Sequence, residues 1–178
     1  MAISRETILS IVEAVSPEFK HTVHRNQLTV IVPTDKIVDL CYELRDNEDT
    51  SFDMLTDITA IDHAKKGFRY EVVYFLYSNK FKDRLRIKVP VHENNLHCPS
   101  MVEVWESANW YERETYDMFG IKFDGHPNLR RFYMPEDFND PETGEPLYPL
   151  RKDFPLGGIP DSLPLPPFPE KYGDLDEN

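Results

Sequence analysis

The chain has 178 residues, 40% of them hydrophobic and 29% charged, with a formal net charge of -12. This is the range of an ordinary globular protein with enough chain to bury a core. So acidic a balance argues against nucleic acid, whose phosphates need dense Lys and Arg, and against docking on an anionic bilayer by charge alone. The two cysteines, Cys41 and Cys98, are far apart and fit a reduced cytosolic chain better than a disulfide framework.

The first stretch, MAISRETILSIVEAV, places Arg5, Glu6 and Glu13 inside its apolar pattern. It is therefore not expected to be a secretory signal, and no later run is long enough to span a membrane. A soluble chain is expected, held in any membrane assembly by other proteins. Ile8, Ile11, Val12 and Val15 predict an amphipathic helix over 4–15 with Ser4 as cap, stopped by Pro17. Two short strands follow at 19–25 and 27–32, turning at Arg25-Asn26. After Pro33 and Thr34, the stripe Ile37, Leu40, Cys41 and Leu44 predicts a second helix, with Cys41 a packing residue rather than a reactive thiol.

Three strands come next, at 52–62, 68–77 and 84–91. The middle one is apolar or aromatic on both faces, so it is expected at the centre of the sheet. The last alternates Leu85, Ile87, Val89 and Val91 against Arg84, Arg86 and Lys88. That basic stripe reads as a solvated face guarding an edge, or as a surface for an acidic partner. Pro99 and Ser100 predict a third helix with Glu103 closing a capping box, and Asn109 with Glu112 repeats the spacing for a fourth over 110–119, capped by Gly120.

The order α-β-β-α-β-β-β-α-α predicts an α+β fold: a two-layer α/β sandwich with a mixed sheet. Residues 1–126 form the compact domain. Eleven of the 15 prolines lie from Pro127 onward, which excludes helix and central strand there. The segment keeps Phe132, Tyr133, Phe138, Tyr148 and Phe154, so residues 127–178 read as an extended arm for a partner surface, with an acidic end from about Glu170.

The densest chemistry lies in Trp110–Pro127. A helical wheel groups Trp110, Tyr111, Glu114 and Met118, which sets Glu114 among apolar neighbours, where it needs a cation such as Arg130 or Arg131. Arg113 and Asp117 are spaced to bridge along the helix. A buried glutamate can serve as a general acid, but no nucleophile or second acid stands at telling spacing. A structural ion-pair network is the better reading.

The run HENNLHC (His92, His97, Cys98) matches no standard zinc spacing and has no second ligand pair downstream. His63 and His126 are isolated, the latter in a Gly-His-Pro turn that a hydrogen bond would lock. No GxGxxG or GxxxxGK run supports nucleotide binding, and two cysteines cannot hold a four-thiolate cluster. The residues therefore describe an interaction subunit with no catalytic residues, no metal and no cofactor of its own. A stand-alone metal-dependent hydrolase built on Glu114 and the histidines is the contrasting reading.

The run NWYERETYDMFGIKFDGHPNLRRFYMPEDF, with GEPLYPLRKDFP after it and LTDITAID at Leu55–Asp62, closely resembles the signature of the 30 kDa-type (C-type) subunit of respiratory complex I. The resemblance covers roughly residues 50–156. It implies a non-catalytic scaffold subunit in the peripheral arm of a proton-pumping NADH-quinone oxidoreductase, on the cytoplasmic face of the inner (plasma) membrane. It also implies docking on the large D-type partner, which shapes the quinone cavity, and on other peripheral-arm subunits. Glu112, Arg113, Glu114, Asp117, His126, Arg130, Arg131, Arg151, Lys152 and Asp153 are the positions expected to make or support that contact. Related chains serve membrane-bound hydrogenases and ferredoxin-linked quinone oxidoreductases, so the electron donor stays open.

Overall fold

The computed structural model describes residues 3–154. Helix α1 spans Arg5–Val15; the Ser4 hydroxyl accepts the Thr7 amide at 3.1 Å, and Ile8 and Val12 are its buried residues. Strands β1 (Lys20–His24) and β2 (Gln27–Ile31) form an antiparallel hairpin. Arg25 and Asn26 join them at φ 48° and 64°, the left-handed pair that a two-residue turn needs to match strand twist. A 3-10 turn at Thr34–Lys36 leads into α2, Ile37–Asp46, which buries the expected Ile37, Leu40, Cys41 and Leu44.

Strands β3 (Met54–Asp62), β4 (Tyr70–Ser78) and β5 (Asp83–Val91) complete a mixed sheet in the order β1-β2-β5-β4-β3, with β2 and β5 parallel. The strand expected at the centre, β4, is interior, but the central position belongs to β5. The basic stripe of β5 therefore guards no edge. One sheet face, including Leu55, Tyr74, Leu76, Ile87 and Val89, joins the buried stripes of α1 and α2 in a single core. Each fully buried large apolar side chain there contributes about 1.5–3 kcal/mol. Among the described residues no helix packs over the other face, in keeping with the α+β two-layer expectation.

The third predicted helix is absent: residues 101–106 form successive turns, with the amides of Val104 and Trp105 both donating to the Met101 carbonyl. Ser100 does not close a box with Glu103, because its hydroxyl is engaged elsewhere. Short strands β6 (His97–Pro99) and β7 (Lys122–Asp124) pair in parallel around helix α3, Ala108–Phe119. Neither short strand is in the predicted element order, although the strand-like IKF run at 121–123 marks the place of β7.

Helix α3 lies against the outer edge of β3. The Ser107 and Thr115 hydroxyls donate to the Leu55 and Ile58 carbonyls at 3.4 and 3.0 Å. An exposed strand edge invites pairing with another chain, and here a helix covers it. Gly120 ends α3 at φ 77°, as expected for a left-handed cap.

Candidate functional site

Two carboxylates of α3 are wholly buried, and they point to opposite sides of the sequence. Glu112, 0% exposed, reaches back: the Ser100 hydroxyl donates to it at 2.7 Å and the Met101 amide at 2.5 Å. No cation meets it among the described residues. Burial pushes its pKa up to about 7, against the pull of those two donors. Asn109 and Glu112 therefore form no capping box, and the helix starts at Ala108 after Ser107.

Asp117, also 0% exposed, reaches forward into the segment after Pro127. One oxygen accepts the backbone amides of Phe132, Tyr133 and Met134 at 3.0, 2.7 and 2.8 Å, and the other accepts the Arg131 guanidinium at 2.9 Å. Burial alone would raise its pKa. The three amides and the arginine outweigh it and hold the carboxyl below its ordinary value. Arg131 in turn donates to the Phe138 and Leu147 carbonyls, both at 3.2 Å, and faces the Phe138 and Tyr148 rings. One buried carboxylate thus ties residues 131–134 of the arm to the helix.

Glu114 does not take the place that the wheel gave it. It is only partly buried, and burial together with nearby Asp57 raises its pKa. Arg131 pairs with Asp117 instead. Arg113 does not bridge to Asp117 either. It is buried and donates to the Arg130 and Arg131 carbonyls at 3.3 and 3.1 Å. The wheel assumed one apolar buried stripe, whereas α3 is enclosed between body and arm and buries its polar residues at hydrogen-bonding positions. Trp110 is left 54% exposed.

Further anchors lie at the end of α3. The Leu150 amide donates to the Met118 carbonyl at 3.1 Å, and Arg151 donates to the Phe119 carbonyl at 2.6 Å, a cation placed on the negative end of the helix dipole. A Cβ on Gly120 would come within 2.6 Å of the Tyr148 ring, so the arm occupies the space left by the missing side chain. At the end of β3, Asp62 accepts Arg69 through both oxygens, at 2.8 and 2.6 Å, and the Lys152 amide at 2.8 Å. The Arg69 contact holds Asp62 well below the usual carboxylate range. Arg69 also pairs with Asp153 at 2.9 Å.

His126 joins its nitrogens to the Asn109 carbonyl (3.1 Å) and the Asn128 amide (3.0 Å), which locks the turn. The side chains of Arg130 and Lys152 are exposed. Asp62 and Arg69 are absent from the sequence-predicted positions; the LTDITAID run contains the first, and no sequence signal marks the second.

On the outer side of this clamp stand Trp110, Phe132 (39% exposed), Tyr133 (58%) and Leu150 (52%). The Arg113 guanidinium sits 5.0 Å from the Trp110 ring and 5.2 Å from that of Phe132. Arginine between aromatic rings at a partly exposed surface is the composition of an interface hot spot. The Ser100 hydroxyl beside Glu112 is engaged on both sides, donating to that carboxylate and accepting the Val102 amide at 3.2 Å. Cys98 lies 3.2 Å from the Tyr74 hydroxyl, and burial pushes its thiol up to about 12, which disfavours the reactive thiolate. His97 pairs with Asp124, His63 with Glu71, and His92 packs on Phe68. Among the described residues no group of three or more His, Cys, Asp or Glu is placed to hold a metal.

The family model described as "Respiratory-chain NADH dehydrogenase, 30 Kd subunit" matches residues 30–160. The second C-type subunit of NADH-quinone oxidoreductase from Rhizobium meliloti is 47% identical over 132 residues, 74% of this chain and 68% of that protein. The C-type subunit of NADH-quinone oxidoreductase from Geotalea uraniireducens is 47% identical over 79% of each chain. Among solved structures, a trypsin-resistant fragment of Nqo5 aligns with a TM-score of 0.59 at 31% identity, over 70% of this chain and 98% of the fragment. One component of the archaeal membrane-bound sulfane sulfur reductase, a respiratory membrane complex, aligns with a TM-score of 0.63 at 31% identity over 85% of each.

Proposed function

This chain belongs to the family of the respiratory-chain NADH dehydrogenase 30 kDa subunit, and from that premise we propose how it serves a complex I-type peripheral arm. It is a scaffold subunit without a catalytic centre. It docks on the subunit that shapes the quinone site through the outer side of the α3 clamp; the rest of the expected arm, residues 155–178 with its acidic end, lies outside the described residues. The observation that carries this reading is the exposed Trp110–Phe132–Tyr133 cluster, fixed in place by Asp117 from beneath. A preordered aromatic patch binds without having to lose conformational entropy first. Arg113, Asp117, Arg131 and Arg151 support the patch from inside, Glu112 ties the helix to the Ser100–Met101 loop behind it, and Glu114, Arg130, Lys152 and Asp153 lie nearer the partner.

No helix among the described residues is long and apolar enough to cross a membrane. The chain is peripheral in its membrane-associated respiratory complex, and the cytoplasmic face is the side we assign to it. The likeness to the sulfane sulfur reductase component supports a second reading, the same docking role in a complex with another electron acceptor or donor.

The test is binding of the purified chain to the purified quinone-site subunit. Trp110→Ala and Phe132→Ala should each weaken it by about 2 kcal/mol, roughly 30-fold. Unchanged affinity in both variants would remove the patch from the interface.

A further inference from the structure

The open face of the sheet carries a second surface, which α3 and the arm through Phe154 do not use. At its lower end a groove of about 460 Å³ is lined by Gln27, Met54, Phe75, Tyr77, Arg84 and Arg86, among others. Met54 is 46% exposed. The groove contains Arg, Met and aromatic side chains and no carboxylate, which is the composition that distinguishes the buried centre of protein interfaces from ordinary surface.

The charges differ along β5. Lys88 is neutralised by Glu71 on the neighbouring strand at 2.8 Å. Among the described residues Arg86 meets only neutral groups: Gln27 at 3.0 Å, Thr29 at 3.5 Å, and the Phe75 ring at 5.1 Å from its guanidinium carbon. Arg84 lies 5.9 Å from the Tyr77 ring and has no carboxylate partner among the described residues. Two uncompensated arginines over an aromatic floor stand out on a chain of net charge -12.

We propose that this groove docks a segment of a neighbouring protein of the complex that presents two carboxylates to Arg84 and Arg86 and an apolar side chain to Met54, Phe75 and Tyr77. Residues i and i+2 of a strand stand about 7 Å apart on one face. Carboxylates at i and i+4 of a helix, about 6 Å apart, match that spacing. Planar guanidinium groups favour carboxylates through paired hydrogen bonds, so the occupant is acidic as well as apolar. The proposal rests on the chain being part of a complex, but not on which surface meets the quinone-site subunit.

A benzophenone-bearing amino acid at position 54, in the assembled and purified complex, reads the occupant directly once the cross-linked peptide is identified by mass spectrometry. The expected product joins this chain to a peptide of another protein in the complex, with at least two Asp or Glu residues. Arg84→Glu with Arg86→Glu should cut its yield at least about tenfold, while Arg84→Lys with Arg86→Lys retains most of it. Both arginines lie at the surface, so the free reversed chain should melt as the unaltered chain does. Its failure to enter the complex, with melting unchanged, would also support the proposal. Cross-linking to residues 155–178 of this same chain, to a peptide without carboxylates, or to nothing would overturn it, as would a yield insensitive to charge reversal. A label at Trp110 reports separately on the clamp surface, so the two readings fail independently.

Discussion

Glu112 and Asp117 leave the same helix, both fully buried, and meet opposite surroundings. Behind the helix, Glu112 finds a hydroxyl and an amide but no cation; ahead of it, Asp117 finds three amides and an arginine. The same burial therefore gives opposite pKa shifts, upward for Glu112 and downward for Asp117. A carboxylate that gathers donors can hold a chain segment as an anion. One with too few donors holds its loop best when protonated. The two attachments should therefore come undone at opposite ends of the pH scale.

The most severe break in this comparison is Asp117→Ala. It leaves Arg131 and three arm amides without their acceptor, and losing one partner of a buried pair costs about 3–5 kcal/mol. In a chain of this size that lowers Tm by roughly 6–20 °C, measurable by calorimetry. Because the native pKa of Asp117 is depressed, its contribution is present above about pH 4 and is lost only as pH falls through the native value.

Glu112 gives the opposite slope. Its native pKa of about 7 lies above the unfolded 4.5, so the protonated form favours folding at low pH. That advantage fades as pH rises from about 4.5 through 7, by on the order of 3 kcal/mol. Glu112→Gln keeps a donor for Ser100 and an acceptor for Met101 and should flatten this loss in urea titrations run from pH 5 to 8. An identical slope in the variant would assign the pH dependence to another group. Smallest of all, Glu114→Ala should stay within about 0.5 kcal/mol of the parent, as for other surface sites. A loss of several kcal/mol would restore the buried role that the helical wheel gave it.

Much of the body was legible because local signals agreed with tertiary structure. Ser4 caps α1, Arg25-Asn26 turns the hairpin, and Ile37, Leu40, Cys41 and Leu44 form the buried stripe of α2. The failures cluster around α3. Periodicity reports which face is apolar, but α3 is enclosed by the β3 edge on one side and the arm on another, so hydrogen-bonding geometry decides which polar groups are buried. Ser100 reads as a helix cap because its spacing to Glu103 is right, yet its hydroxyl serves a carboxylate twelve residues later. Nothing local encodes that choice. The aromatics of the arm mark it as purposeful, but its first surface, through Phe154, is the chain's own helix.

The central claim is that the clamp surface is already ordered in the free chain. Hydrogen exchange at the amides of Phe132, Tyr133 and Met134, which all donate to Asp117, measures it directly. The expected result is slow exchange in the isolated chain and loss of that protection in Asp117→Ala. Fast exchange in the isolated chain, slowed only when the quinone-site subunit is added, would mean that the partner builds the clamp.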